Sequence, residues 1–355
     1  MPVVAPRTDP RCQRRADLAD VRDHDKWSDG TVWVTHTLRM DLDAAAASWL
    51  SDGFVVLPSY LPARDLRPAL GELNMMFPSG DDFHDGVDPD RNIRFIGDEF
   101  NGIDRFPFAS LAVNRLVVCH ALVSLATRLL EDQDIRLYSA ESWAKYEGAA
   151  DYDQSLHRDY LNHTIVVPSS APENRQVEFF VFLSDVTAEL GAPRMVPRSS
   201  ATDELPARPN FFPPNDTDGT EGDFVATRGR PDLYAHEIAA TGLAGTVVAF
   251  HTGTLHRGAA ITHRRGARFT MHLSYRPAGA EWAQRHAWAD RSHDRHWYEF
   301  VEHANPRQLE LFGFPPPGHP YWTTETLTGV AERYRGLDLT PWQDAAGLGR
   351  SRHAD

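Results

Sequence analysis

The chain has 355 residues, 41% of them apolar, and a formal net charge of −14. Such a charge argues against a nucleic-acid partner, because a phosphate backbone demands a basic surface. Its two cysteines, Cys12 and Cys119, are too few for a disulfide framework or a thiolate metal site.

Residues 1–30 are polar and charged, without the period of a core-forming element and without the apolar stretch of a signal peptide. From about residue 45 the sequence AAAASWL reads as a helix, Asp52-Gly53 as a turn and FVVL as a short strand. In PARDLRPALGELNMMF, Leu66, Leu70, Leu73 and Met76 recur on one face of a helical period. The stretch 78–105 is rich in Gly, Asp and Pro and reads as loop, and 109–132 as one long helix. The character then turns to β. IRLYSAESWAKYE (135–147), LNHTIVV (161–167), QVEFFVFLSDV (176–186), GTVVAF (245–250) and RFTMHLSY (268–275) are β-branched or aromatic and bounded by turn residues. ELGAPRMVPRSS (189–200) reads as a turn and a brief strand. The Pro/Gly-rich stretch 201–231 reads as a lid-like insertion too polar for core. Helix returns in SHDRHWYEFVEHA, with Ser292 as the expected N-cap, and a further helix ends before GFPPPGHPYW.

Short strands without alternating helices predict a mainly β chain with flanking helices, a jelly roll or small barrel rather than a parallel βαβ fold. The expected organisation is a polar arm over 1–30, a single domain over 31–340 and a C-terminal tail over 341–355. No apolar run reaches the roughly 18 residues of a membrane span, so a cytoplasmic protein without membrane or nucleic-acid partners is expected. Oligomeric state is unreadable.

The chemistry centres on SLHRDYLNH (155–163). Chance alone gives about two His-x-Asp/Glu triplets in a chain of this composition, and two occur, His157-Arg158-Asp159 and His353-Ala354-Asp355. Context separates them. Residues i and i+2 of a strand point the same way, so His157 and Asp159 at a strand edge would present an imidazole and a carboxylate together. A third ligand must come from His163, His236, His251, His256, His263 or His272. His256, beside Gly258 and just past a buried strand, is favoured, with His251 its rival. Two His and one carboxylate form the facial triad of non-heme Fe(II) oxygenases, whose open positions suit O2 and an α-keto acid. The distal carboxylate of such a co-substrate calls for arginine. Parity in RFTMHLSY puts Arg268, Thr270, His272 and Ser274 on one face, and Phe269, Met271, Leu273 and Tyr275 on the other.

Between about 45 and 320 the sequence resembles the phytanoyl-CoA dioxygenase (PhyH)-type Fe(II)/2-oxoglutarate-dependent oxygenases. The resemblance rests on DGFVVLPSYLPARDL, His157-Arg158-Asp159, FFVFLSDVTAELGAPRMVPRSS and AGTVVAFHTGTLHRG followed by Arg268. It implies a double-stranded β-helix, a cupin-like jelly roll, with iron held by His157, Asp159 and His256 and 2-oxoglutarate by Arg268. The arginine falls twelve residues after His256, against about eleven in the family, with Arg264 and Arg265 nearby. Lys145 and Thr270 are further candidates for contact with the co-substrate, Lys145 being equally readable as a solvated lysine. Tyr138 and Gln154 have no assigned role. His163 is expected to hydrogen-bond near the site, Asp185 to hold a turn, and His293, His296, His303 and His319 to lie on surfaces or pack between helices. Trp282 or Trp322 could border a pocket.

The carboxylate ligand is retained, which points to hydroxylation of a small molecule, with O2 consumed and succinate and CO2 released. The rivals are a cupin-like metalloenzyme without 2-oxoglutarate, which has no need of Arg268, and a non-catalytic small-molecule binder.

Overall fold

Asp41 accepts hydrogen bonds from the N–H groups of Asp43 and Ala44 and starts the helix Leu42–Asp52. The helix stops where Gly53 turns left-handed at φ 83°, and the chain enters strand β1 (Phe54–Leu57). The computed structural model describes residues 41–149, 153–159, 163, 172–201, 205, 209–219, 225–280, 288–292 and 294–348. These belong to one unit that begins at residue 40. The expected arm over 1–30, the strand expected over 161–167 apart from His163, Trp282 and His293 lie outside the described residues.

The remaining strands are β2 (Ile103–Arg105), β3 (Ile135–Tyr146), β4 (Leu156–His157), β5 (Val177–Phe182), β6 (Arg194–Met195), β7 (Phe211–Phe212), β8 (Ile238–Ala239), β9 (Val247–His251), β10 (His256–Arg257) and β11 (Ala267–Pro277). They form two antiparallel sheets, ordered β1-β9-β5-β11-β3-β2 and β7-β4-β10-β6-β8. This is the expected double-stranded β-helix, with strands of 3 to 12 residues in one sheet and two-residue strands in the other. The large sheet carries two faces by the period of two. Met271, Leu273 and Tyr275 of β11, with Val177, Phe179 and Val181 of β5, turn to the helices. Phe180 and Phe182 of β5 turn to the second sheet.

The stretch expected as one helix over 109–132 is two, Leu111–Val117 and His120–Leu130. Cys119, extended at ψ 151°, separates them. Leu111–Leu130 is long and apolar enough to cross a membrane, but 67% of its window is buried inside the protein. Leu122, Leu125 and Leu129 join the apolar core on the helix side of the large sheet, as Val113 and Leu116 do, so both helices are core helices.

Four expectations are corrected. The loop of 78–105 contains short helices at Gly80–His84 and Pro89–Asn92 and ends in β2. Its turn-prone residues Ser79 and Asp88 act as N-caps. The insertion over 201–231 contributes β7, whose Phe212 is buried; two adjacent aromatics outweigh a Pro-rich context once a partner strand is present. The N-cap position of the helix Arg295–His303 is held by the extended Asp294, whose carboxylate pairs with Arg291 rather than capping, and not by Ser292. The tail expected from 341 begins as the helix Thr340–Ala345, with Trp342 in the core.

Candidate metal centre

The two-residue strands β4 and β10 pair so that His157 stands directly opposite His256. Opposite residues of an antiparallel pair put their side chains on the same face, about 5 Å apart. The imidazole centroids are 4.5 Å apart. Asp159 follows the strand, its N–H bonded to the Thr252 carbonyl at 3.1 Å. Its Oδ1 lies 3.6 Å from His157 Nε2 and its Oδ2 3.3 Å from His256 Nε2. One donor atom from each of the three lies within 4.8 Å of the others. Among the described residues this is the one such group of His, Cys, Asp and Glu side chains.

Both rings are aimed by the same device. His157 Nδ1 donates to the Ser155 carbonyl at 2.9 Å and His256 Nδ1 to the Thr254 carbonyl at 3.0 Å. With Nδ1 held by a carbonyl, each Nε2 is turned toward Asp159, the arrangement that orients metal-ligating imidazoles. Thr254 is itself tied by Oγ1 to the Gly53 carbonyl at 2.7 Å. A Cβ at residue 53 would meet Thr254 Oγ1 at 2.7 Å, and the backbone there is left-handed, so the Asp52-Gly53 turn braces the His256 loop. Phe211 stacks on His157 at 5.0 Å and Phe250 sits 4.8 Å from His256, so each imidazole has an aromatic ring packed against it.

Burial depresses the His157 imidazole to about 4, and neighbouring His256 adds to the effect. Burial by itself would raise Asp159, but the charge and hydrogen bond of His256, with His163 and His157, hold the carboxyl far below its usual range. Burial pulls His256 down, and Asp159 more than offsets it, so His256 is raised. The centre therefore offers an ionised carboxylate, a neutral imidazole and a second imidazole whose proton affinity Asp159 raises, so that protons and a cation compete for it. These donors fit a divalent iron.

The centre opens into a cavity of about 570 Å³ between the sheets. Its floor follows the register of β11 against β3, which pairs Arg268 with Lys145, Thr270 with Trp143, His272 with Glu141 and Ser274 with Ser139. All eight line the cavity, as strand parity requires for the β11 residues. Lys145 is buried, its ammonium donating to the Glu99 and Asn101 carbonyls and lying 5.3 Å from the Trp143 ring. The solvated reading of Lys145 is thereby overturned. Arg265, in contrast, is paired with Asp85 and Asp81 on the surface, and Arg264 is exposed.

Among the other histidines, His236 and His263 are exposed. His251 packs on Trp49 at 6.0 Å and accepts the Gly253 N–H, away from the triad. His272 stacks on Trp143 at 4.5 Å, and burial takes it down to about 3. His163 is bonded beside the site, as expected. Asp185 accepts the Ala244 N–H at a turn, and Trp322 packs in the core rather than at the pocket.

Sequence reasoning missed the far end of the floor. Glu178 is buried, and its carboxylate accepts from Tyr138 Oη at 2.7 Å, from Ser274 Oγ and from His163 Nδ1 at 3.1 Å. Burial works against a charged His163, but Glu178 overrides it and raises the imidazole to about 9. The register of β3 and β11 slips between Ser274 and Tyr275, making Tyr138 the extra residue. That bulge turns Tyr138 into the cavity beside Ser139. The available signal was a single carboxylate inside VEFFVFL. Glu178→Ala is expected to cost about 1–3 kcal/mol by stranding its donors, with a smaller loss for Glu178→Gln. An unchanged urea midpoint in Glu178→Ala would contradict this.

Three solved structures illustrate the likeness. The non-heme alpha ketoglutarate dependent epimerase SnoN from nogalamycin biosynthesis is 20% identical at a TM-score of 0.45, covering 67% of this chain and 83% of its own. AviO1 from Streptomyces viridochromogenes Tue57 is 18% identical at 0.43, covering 70% and 100%. HygX from Streptomyces hygroscopicus, with nickel and 2-oxoglutarate bound, is 16% identical at 0.43, covering 66% and 86%. None of the curated proteins searched matches the chain. The family model described as phytanoyl-CoA dioxygenase (PhyH) matches residues 49–268, more than half of the chain. That span contains the helix-to-strand brace at Gly53, the His-Asp-His cluster and Arg268, and the chain belongs to the PhyH family of iron- and 2-oxoglutarate-dependent oxygenase-type enzymes.

Proposed function

We propose that this chain hydroxylates a C–H bond of a small molecule, with His157, Asp159 and His256 holding Fe(II) and Arg268 anchoring 2-oxoglutarate. The observation that carries the reading is the placement of an inward-facing arginine on the same cavity floor that the triad overlooks. Iron with 2-oxoglutarate supplies the oxidising power, O2 being consumed and succinate and CO2 released as the substrate is hydroxylated. The protein's own residues do the rest. Asp159 supplies the negative charge and the two Nε2 atoms the neutral donors, on one side only, which leaves the cavity side free for co-substrate. Arg268 presents a planar donor pair to a carboxylate, with Lys145 and Thr270 beside it on the register of β3 and β11. The aromatic rings of Phe211 and Phe250 pack against the two imidazoles. Glu99, Phe100 and Ile103 from the 78–105 segment, and Phe211 from the 201–231 segment, reach the cavity. Those two segments are therefore our candidates for substrate selection and closure.

The test is an anaerobic titration of apo-protein with Fe(II) and then 2-oxoglutarate, followed by the weak visible charge-transfer band of the chelate. The band is expected in the wild type and absent in His157→Ala. Iron binding without a band on adding 2-oxoglutarate would favour an enzyme that does not use that co-substrate.

A further inference from the structure

The strands that carry the two histidines, Leu156–His157 and His256–Arg257, have two residues each. A ladder this short does little to fix register, yet a slip of one residue would turn either histidine to the other face. Bonds beyond the ladder supply the constraint. Gly258 donates its N–H to Gln154 Oε1 at 2.8 Å, and its carbonyl accepts the Gln154 N–H at 3.0 Å. Side chain and backbone of one residue thus clip a single glycine two positions from His256. Next door, Asp153 Oδ1 accepts the Ala260 N–H at 2.8 Å and lies 3.2 Å from Arg257 Nη1. A Cβ at 258 would meet Gln154 Oε1 at 2.7 Å, so a larger residue there would push the Gln154 amide out of its grip.

We infer that Gln154 is a positioning residue for the iron centre: its amide, by gripping Gly258, holds the His256 strand in register with the His157 strand so that both Nε2 atoms converge with Asp159. The inference rests on the proposed triad. Gln154 acts here through Gly258, not by touching the metal, so the probe is the metal alone.

Apo-protein is titrated with Co(II) in the absence of 2-oxoglutarate, recording affinity, ligand-field spectrum and thermal midpoint. Gln154→Ala is expected to weaken Co(II) binding about 10- to 100-fold, the usual effect of losing a group that orients a ligand. Its spectrum should change while the thermal midpoint stays close to wild type. Gln154→Glu, which keeps an acceptor oxygen at the same reach, should recover most of the affinity. Gly258→Ala should weaken binding in the wild type but add nothing in Gln154→Ala, where the clash is gone; groups acting through one contact are non-additive. Wild-type affinity and spectrum in Gln154→Ala, or effects of the two substitutions that multiply, would overturn the inference. A wild type that fails to bind Co(II) removes the centre itself, and the clip's role falls with it.

Discussion

Replacing His157 or Asp159 by alanine is expected to abolish iron-dependent turnover and leave the fold standing. Charge stabilisation by a bound metal is worth several kcal/mol, so uncoupled conversion of 2-oxoglutarate to succinate should fall at least about a thousandfold. The fold should survive because the triad sits at the mouth of the sheets, apart from the apolar core on the helix side. After loss of Asp159, both imidazoles still donate to the Ser155 and Thr254 carbonyls, so no ring is left without a partner. His251→Ala is the control. It removes a ring packed on Trp49 and should cost stability but not turnover. Succinate release with excess Fe(II), alongside circular dichroism, reads both effects, and full activity in Asp159→Ala would sink the triad. The same geometry sets a pH dependence. Asp159 raises His256, chiefly by its charge against the opposing pull of burial, so the proton competes better with iron as pH falls through that raised value. Iron affinity should decline on acidification, with proton release on binding.

Arg268→Ala is expected to raise the 2-oxoglutarate concentration for half-maximal turnover by about 10- to 100-fold, with little change at saturation. Hydrogen bonds to charged groups are worth about 1.5–3 kcal/mol, and each 1.4 kcal/mol is tenfold in affinity. Loss at the distal carboxylate removes binding shared by ground state and transition state, which appears in KM rather than kcat. Arg265→Ala should be silent, because that guanidinium is held by Asp81 and Asp85 at the surface. If Arg265→Ala raised the requirement and Arg268→Ala did not, the assignment of the floor arginine would be wrong.

Local patterns carried far in this chain. The period of two in RFTMHLSY sorted β11 into a cavity face and a core face, and Arg268, Thr270, His272 and Ser274 do line the cavity. His157 and Asp159 do meet, but not by strand parity: β4 ends at His157, and Asp159 lies beyond it with its N–H on the Thr252 carbonyl. Helix boundaries were less legible. The break at Cys119 lies inside an apolar run whose composition favours continuity, and the capping residues of 78–105 look identical in a loop and at a helix start.

What the sequence by itself determined is the family, the class of fold and the chemical types present: two imidazoles, a carboxylate and an arginine on strands of known parity. Only the tertiary structure decided which members of each type meet. His256 rather than His251 faces Asp159 because β10 pairs with β4 in a register set partly by Gln154 and Gly258, about a hundred positions apart in the chain. Tyr138 joins Glu178 because a bulge between β3 and β11 shifts one residue inward. Side-chain direction along a strand is a local property with a fixed period. Pairing register and bulge position are settled between segments distant in sequence, where packing and hydrogen bonding of the whole sheet select one alignment from several that each strand alone would accept.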